Sequence, residues 1–235
     1  MQKRLITVLT AVFIIMAGQS FSLAAGNTPC DEKDAVCREF ARLAEAEQYD
    51  KIVGALDAKI NYSDASRSII GQAYLQMAGQ ETNTPEQEER YCRKALEYGS
   101  TSAYMGLYFI YASKDTEAAL GFLKQYIATK PGDSVPYVIL GDSELEKKNY
   151  QAADAYLREA KKVARGHSAN LEWLSFLAGY LTGDYAYAGA MLESAMKKPA
   201  YEKELRGLAS DPRFSGMEKR PEFKQYEYLF KGAAR

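Results

Sequence analysis

From Pro136 to Ala164 the chain reads PYVILGDSELEKKNYQAADAYLREAKKVA, and its apolar positions form two helical stripes with a polar break between them. Tyr137, Leu140, Gly141 and Leu145 fall at i, i+3, i+4 and i+8. Ala153, Tyr156, Leu157, Ala160, Val163 and Ala164 fall at i, i+3, i+4, i+7, i+10 and i+11. Spacing of this kind places each set on one face of a helix. Lys147, Lys148 and Asn149 supply the break. The pattern predicts two short helices joined by a tight turn, and neither can bury its stripe alone. Small residues at Gly141, Ala153 and Ala160 let two backbones approach, while Tyr137, Leu140 and Leu157 fill the space around them.

The same beat recurs along the chain. Gly71, Gly106, Gly141 and then Phe176 stand at equivalent places, each 35 residues after the last. Each first helix has a second: Ala95 closes one after the turn-rich insertion QETNTPEQ, and Ala119, Leu123 and Pro131 mark the next. Ala188, Leu192 and Ala195 follow LEWLSFLAGYL and GDY in the last clear pair. An earlier pair, between Ala35 and Ile60, keeps only Tyr49 and Leu56 of the pattern. Tyr137-x-x-Leu140-Gly141, followed by Ala153-x-x-x-Leu157 and Ala160, resembles the tetratricopeptide repeat (TPR), a helix-turn-helix unit of about 34 residues. Two departures are Glu144, where that family usually has an aromatic, and Arg165, where its closing proline is absent.

The resemblance implies an all-α fold: a right-handed α-α superhelical solenoid of about four to five helix pairs over residues 35–198, with a C-terminal cap over 199–235. In the cap, DPRF is echoed nine residues later by RPEF. Asp211-Pro212 can start a helical turn, and Phe223, Tyr226 and Phe230 form a stripe. The alternative for this segment is a docking element built on exposed Phe214 or Phe223.

The family holds its ligands on the concave wall made by the first helix of every pair. Carried onto this sequence, that wall begins with Ser68, Gln72 and Leu75 and continues through Ala103, Leu107, Ile110 and Tyr111. Val138, Asp142 and Leu145 follow, then Trp173, Leu177 and Tyr180 with Leu181 beside them. Such a groove is polar at its N-terminal end and increasingly apolar and aromatic toward Trp173. The resemblance thus implies a partner-binding surface of Leu107, Ile110, Tyr111, Val138, Asp142, Leu145, Trp173, Leu177 and Tyr180. No set of Lys and Asn residues stands there to clamp a terminal carboxylate. The competing assignment makes Trp173, Leu177, Leu107 and Leu145 core residues, packed between repeats or, in the divergent last repeat, buried under the cap.

The N-terminus alters where this scaffold is expected to work. MQKR, an apolar run of about 14 residues and the small-residue stretch QSFSLAAG read as an export signal. Ser22 and Ala24 suit the −3 and −1 places, so residues 1–24 form the expected signal peptide and 25–34 a lead-in. An uncleaved anchor is the other reading, but the run falls short of the roughly 18 to 20 residues that a span needs. No later stretch is apolar enough to span, so the mature chain is expected to be periplasmic or secreted. An oxidising compartment lets two of the three cysteines pair. Cys30 and Cys37 bracket CDEKDAVC, where Asp31 or Asp34 could cap a helix starting near Ala35. Pairing of Cys37 with Cys92 is the alternative.

Composition then removes whole classes of function. With 47% hydrophobic residues in 235 and a formal charge of −1, the chain can build a core. Loss of Lys3 and Arg4 would take that charge to −3, and no basic stripe offers itself to nucleic acid. The single histidine, His167, lies in RGHSAN, where Ser168 or Asn170 reads as a helix cap. No phosphate-binding loop, dinucleotide fingerprint, nucleophile elbow or standard metal spacing occurs. Acid pairs such as Glu144 with Glu146, or Glu202 with Glu204, have the spacing of a solvated face. These observations point away from an enzyme, a cofactor or a metal. They favour a non-catalytic exported adaptor that holds a segment of another exported or envelope protein during envelope assembly or secretion. The alternative is binding of a cell-wall or surface glycan, for which 18 tyrosines offer stacking surfaces.

Overall fold

The structure, a computed structural model, describes residues 30–166 and 168–230. The expected signal peptide, residues 25–29 of the lead-in, His167 and the last five residues lie outside the described residues. Every regular element among the described residues is helical. They run in five pairs: α1 (Ala35–Glu45) with α2 (Tyr49–Gly54), α3 (Asp64–Ala78) with α4 (Pro85–Glu97), α5 (Ala103–Tyr111) with α6 (Thr116–Thr129), α7 (Ser134–Glu146) with α8 (Tyr150–Val163), and α9 (Ala169–Thr182) with α10 (Tyr185–Ala195). After them come α11 (Ala200–Leu208), three 3-10 turns (Pro212–Phe214, Met217–Lys219, Pro221–Tyr226) and α12 (Glu227–Phe230).

The helices start where short polar side chains can take up orphan backbone N–H groups. Asp34 accepts from Cys37 N, Ser63 from Ser66 N, Asp133 from Val135 N, Ser168 from Leu171 N and Asp184 from Tyr187 N. Thr84 and Gln87 form a reciprocal capping box with Pro85 between them. The last three residues of QETNTPEQ, expected as part of an insertion, are therefore the first turn of α4, with Thr84 as its cap.

The described residues divide into two compact units, one ending at Thr129 and the other starting at Lys130. In the first, Cys37, Phe40, Ile52, Ile69 and Ile70 form one cluster, and Cys92, Ala95, Ala103 and Leu107 belong to another. Cys30 and Cys37 are disulfide-bonded, with Cα atoms 5.6 Å apart. Cys92 is a free, buried thiol, so the alternative pairing with Cys37 does not form.

In the second unit α7 packs on α8 and α9 on α10, and α9 also touches both α7 and α8. Gly141 on α7 shows why a small residue is required at that position. A Cβ there would lie 2.6 Å from Leu157 Cγ, closer than real Cβ contacts come. Arg158 ties the outer layer by bonding to Asp154 and Asp184, at 2.7 Å each, while its guanidinium lies 3.9 Å from the centre of the Tyr187 ring.

Residues 200–230 belong to the same core as α9. Leu205, Phe214, Met217, Phe223 and Leu229 are buried in one cluster with Trp173, Phe176 and Tyr180. Phe214 is 2% exposed and Phe223 0%, so the alternative of an exposed docking element on these rings is incorrect. Asp211 accepts from Arg213 N to start its turn, and Arg213 donates to the Tyr150 hydroxyl at 3.1 Å.

Candidate functional site

The first helices place the expected partner-binding residues in three different environments. In the second unit, Val138, Asp142 and Leu145 on α7 and Leu177 on α9 are half-buried. The three apolar members pack against the core with part of each side chain left accessible. Asp142 sits among them, and burial holds its carboxyl above the usual aspartate range, with the negative charge of Glu146 adding to the effect. The apolar part of such a half-covered strip gains from further burial, whereas the carboxylate is desolvated without loss only where a cation meets it.

Trp173 and Tyr180 are placed differently. Trp173 is 8% exposed and lies between Phe176, at 5.1 Å between ring centroids, and Tyr201, at 5.3 Å. Tyr180 is 7% exposed, stacked on Phe214 and edge-on to Phe223 and Tyr185. Burial pushes the Tyr180 phenol upward despite the opposing hydrogen bond from Arg220. Arg220 also lies 3.4 Å from the centre of the Tyr185 ring. The chain's own C-terminal segment thus covers the aromatic end of the expected wall. For Trp173 the competing assignment, burial under the cap, is the one that forms; Tyr201 as its partner was not legible in the sequence.

In the first unit, Leu107 is 0% exposed and belongs to the core with Cys92 and Ala95. Ile110 and Tyr111 remain half-buried. The Tyr111 hydroxyl donates to Glu89 Oε1 at 2.8 Å and accepts from Arg93 at 3.1 Å. The hydrogen bond from Tyr111, then that from Arg93, keeps the Glu89 carboxyl below its ordinary value. Of the expected surface, Leu107, Trp173 and Tyr180 are core residues, while Ile110, Tyr111, Val138, Asp142, Leu145 and Leu177 keep accessible area.

A polar cleft of about 300 Å³ opens between α3 and the turn after α4, lined by Asp64, Arg67, Ser68, Gln72, Tyr98, Gly99 and Ser100. Ser68 and Gln72 were legible as wall positions; Asp64, Arg67 and the Tyr98–Ser100 turn were not. Gly71 allows the turn to sit close, since a Cβ there would lie 3.1 Å from both Ser100 Cβ and the Tyr98 carbonyl oxygen.

Reactive groups are scarce among the described residues. Burial, followed by the negative charges of Glu88 and Glu89, pushes the Cys92 thiol up to about 12, which leaves it protonated and unreactive at neutral pH. Among the described residues, no group of three or more His, Cys, Asp or Glu side chains is placed to hold a metal ion. No helix among them is long and apolar enough to cross a membrane.

No protein-family model matches this chain. No curated protein sequence matches it either. Among solved structures, the chain is similar to the MamA protein, with a TM-score of 0.53 and 17% identity over 69% of this chain and 91% of that one. It also aligns with the APC/C hetero-tetramer Cut9-Hcn1 at a TM-score of 0.43 and 15% identity, over 97% of this chain and 43% of that one. MamA is a TPR-repeat protein, and the likeness shows that the fold here is all-helical and of the TPR type. The Cut9-Hcn1 alignment is too weak to add to that.

Proposed function

We propose that this protein is an exported, non-catalytic TPR-type scaffold that seats a segment of another exported or envelope protein, in envelope assembly or secretion. The observation that carries this reading is the half-covered strip Val138, Leu145 and Leu177 around Asp142. Unlike the aromatic end of α9, it is not sealed by the C-terminal segment. An extended or helical segment with apolar side chains and a Lys or Arg suits it. The apolar groups would complete burial of the strip, and the cation would pair with half-buried Asp142, with exposed Glu146 adding its charge nearby. Ile110 and Tyr111 form a second accessible patch within the first unit.

Export rests on the N-terminal sequence, and the Cys30–Cys37 bridge agrees with an oxidising compartment. Cell fractionation with N-terminal sequencing of the tagged mature chain tests it. The expected result is a periplasmic or secreted product beginning at Ala25; an intracellular chain that keeps Met1 to Ala24 contradicts it. Co-purification tests the adaptor role. One exported protein should be retained by the wild type and lost from a Leu145→Asp, Leu177→Asp variant with unchanged melting. Retention on wall polysaccharide with no protein partner would replace the adaptor reading with glycan binding.

A further inference from the structure

The geometry points to the cleft between α3 and the Tyr98–Ser100 turn as a binding site for a single carboxylated sugar, a function separate from the seating of a protein segment. The recognition element is Arg67. Its guanidinium donates to the Glu97 carbonyl oxygen at 2.7 Å and lies 5.3 Å from the centre of the Tyr98 ring. The opposite support is equally fixed, because Tyr98 stacks on Tyr74 with ring centroids 5.8 Å apart and 21° between planes. Arg67 is therefore oriented by a carbonyl and an aromatic platform, and among the described residues it has no carboxylate within ion-pair distance. A guanidinium held this way keeps donors free in the planar arrangement that matches a carboxylate.

The remaining wall narrows the ligand class. Ser68, Gln72 and Ser100 offer hydroxyl and amide groups that can both donate and accept, and Asp64 offers acceptors. That inventory suits the hydroxyls of a sugar ring. Asp64 repels any anion and a multiply charged one most, so a phosphate is disfavoured and a ligand's single acid group is placed on the Arg67 side with its hydroxyls toward Asp64. A volume of about 300 Å³ is at the lower end for small-molecule sites, enough for one ring and too small for a folded segment.

The test is an amide NMR titration of the full chain with D-glucuronate, using D-glucose and acetate as the two controls. Glucuronate should produce saturable shifts at Ser68, Gln72, Gly99 and Ser100, and each control should bind about tenfold more weakly or worse, since each lacks one half of the recognition. Arg67→Ala should weaken glucuronate by a similar factor. Ser68→Trp, at an exposed position, should fill the cleft and abolish binding while the rest of the spectrum stays native. The proposal is overturned if glucuronate gives no saturable shifts, if either control binds as tightly, or if the folded Ser68→Trp protein binds it undiminished.

Discussion

The rings of Tyr180 and Phe214 stack 4.8 Å apart with 23° between their planes. This contact joins the first helix of the last pair to the DPRF turn and makes residues 200–230 part of the unit's core. Phe214→Ala should cost about 3–5 kcal/mol by removing a buried ring and leaving a cavity. A Tyr180→Ala, Phe214→Ala double-mutant cycle, read by chemical denaturation, should return a coupling of about 0.5–1.5 kcal/mol. Additive losses would mean that the rings do not support one another.

The close approach at Gly141 makes a second prediction. Gly141→Ala gains helix propensity but drives a methyl into the fully buried Leu157, so net destabilisation of about 1 kcal/mol or more is expected. Gly121 on α6 has no atom within 4 Å of an added Cβ, so Gly121→Ala should stabilise by about 0.5–1 kcal/mol. Opposite shifts in melting temperature for the same chemical change would locate the tight packing. Shifts of the same sign would contradict it.

The loop closed by Cys30 and Cys37 carries Asp34, which caps α1 and also accepts from Ser63 Oγ at 2.6 Å. Replacing both cysteines by serine should lower stability by up to about 2.5 kcal/mol in the loop-entropy model. The hydrogen bond from Ser63, followed by that from Cys37 N, holds the Asp34 carboxyl below its ordinary value. Its stabilising effect is present above the ordinary aspartate pKa and is lost as pH falls through the lowered folded one. Comparing wild type with Asp34→Ala from pH 7 downward should show the two stabilities converging in the acid range. A constant gap would contradict this assignment.

Asp142 should behave in the opposite way. Its folded pKa is raised, so above that value the buried charge costs stability. The cost is relieved as pH falls from the folded pKa toward the unfolded one. Asp142→Asn should therefore be more stable than wild type at pH 7, with the advantage shrinking below the folded pKa. Side-chain NMR should find Asp142 titrating above the usual aspartate range, and a bound basic segment should bring that midpoint down.

The repeated helix pairs were legible because a 35-residue beat carries their packing requirements locally: a small residue on one helix and a large apolar partner on the next, as at Gly141 and Leu157. The caps at Asp34 and Ser168 were legible for the same local reason. The beat does not record what covers the last first helix. Trp173 and Tyr180 occupy wall positions by spacing, yet the rings that bury them arrive from residues 201 to 223, outside the repeat. The polar cleft escaped the pattern because Arg67 acquires its role from the Glu97 carbonyl and the Tyr98 ring, which only packing brings to α3.

The most direct test of the scaffold reading places a photoreactive residue at Val138, at Leu177 or at exposed Ala155 on α8, followed by crosslinking in cells and mass spectrometry. The account predicts that one exported protein is captured through a single continuous segment from Val138 and from Leu177, and not from Ala155. Equal capture from Ala155, or no defined adduct from either Val138 or Leu177, would contradict it.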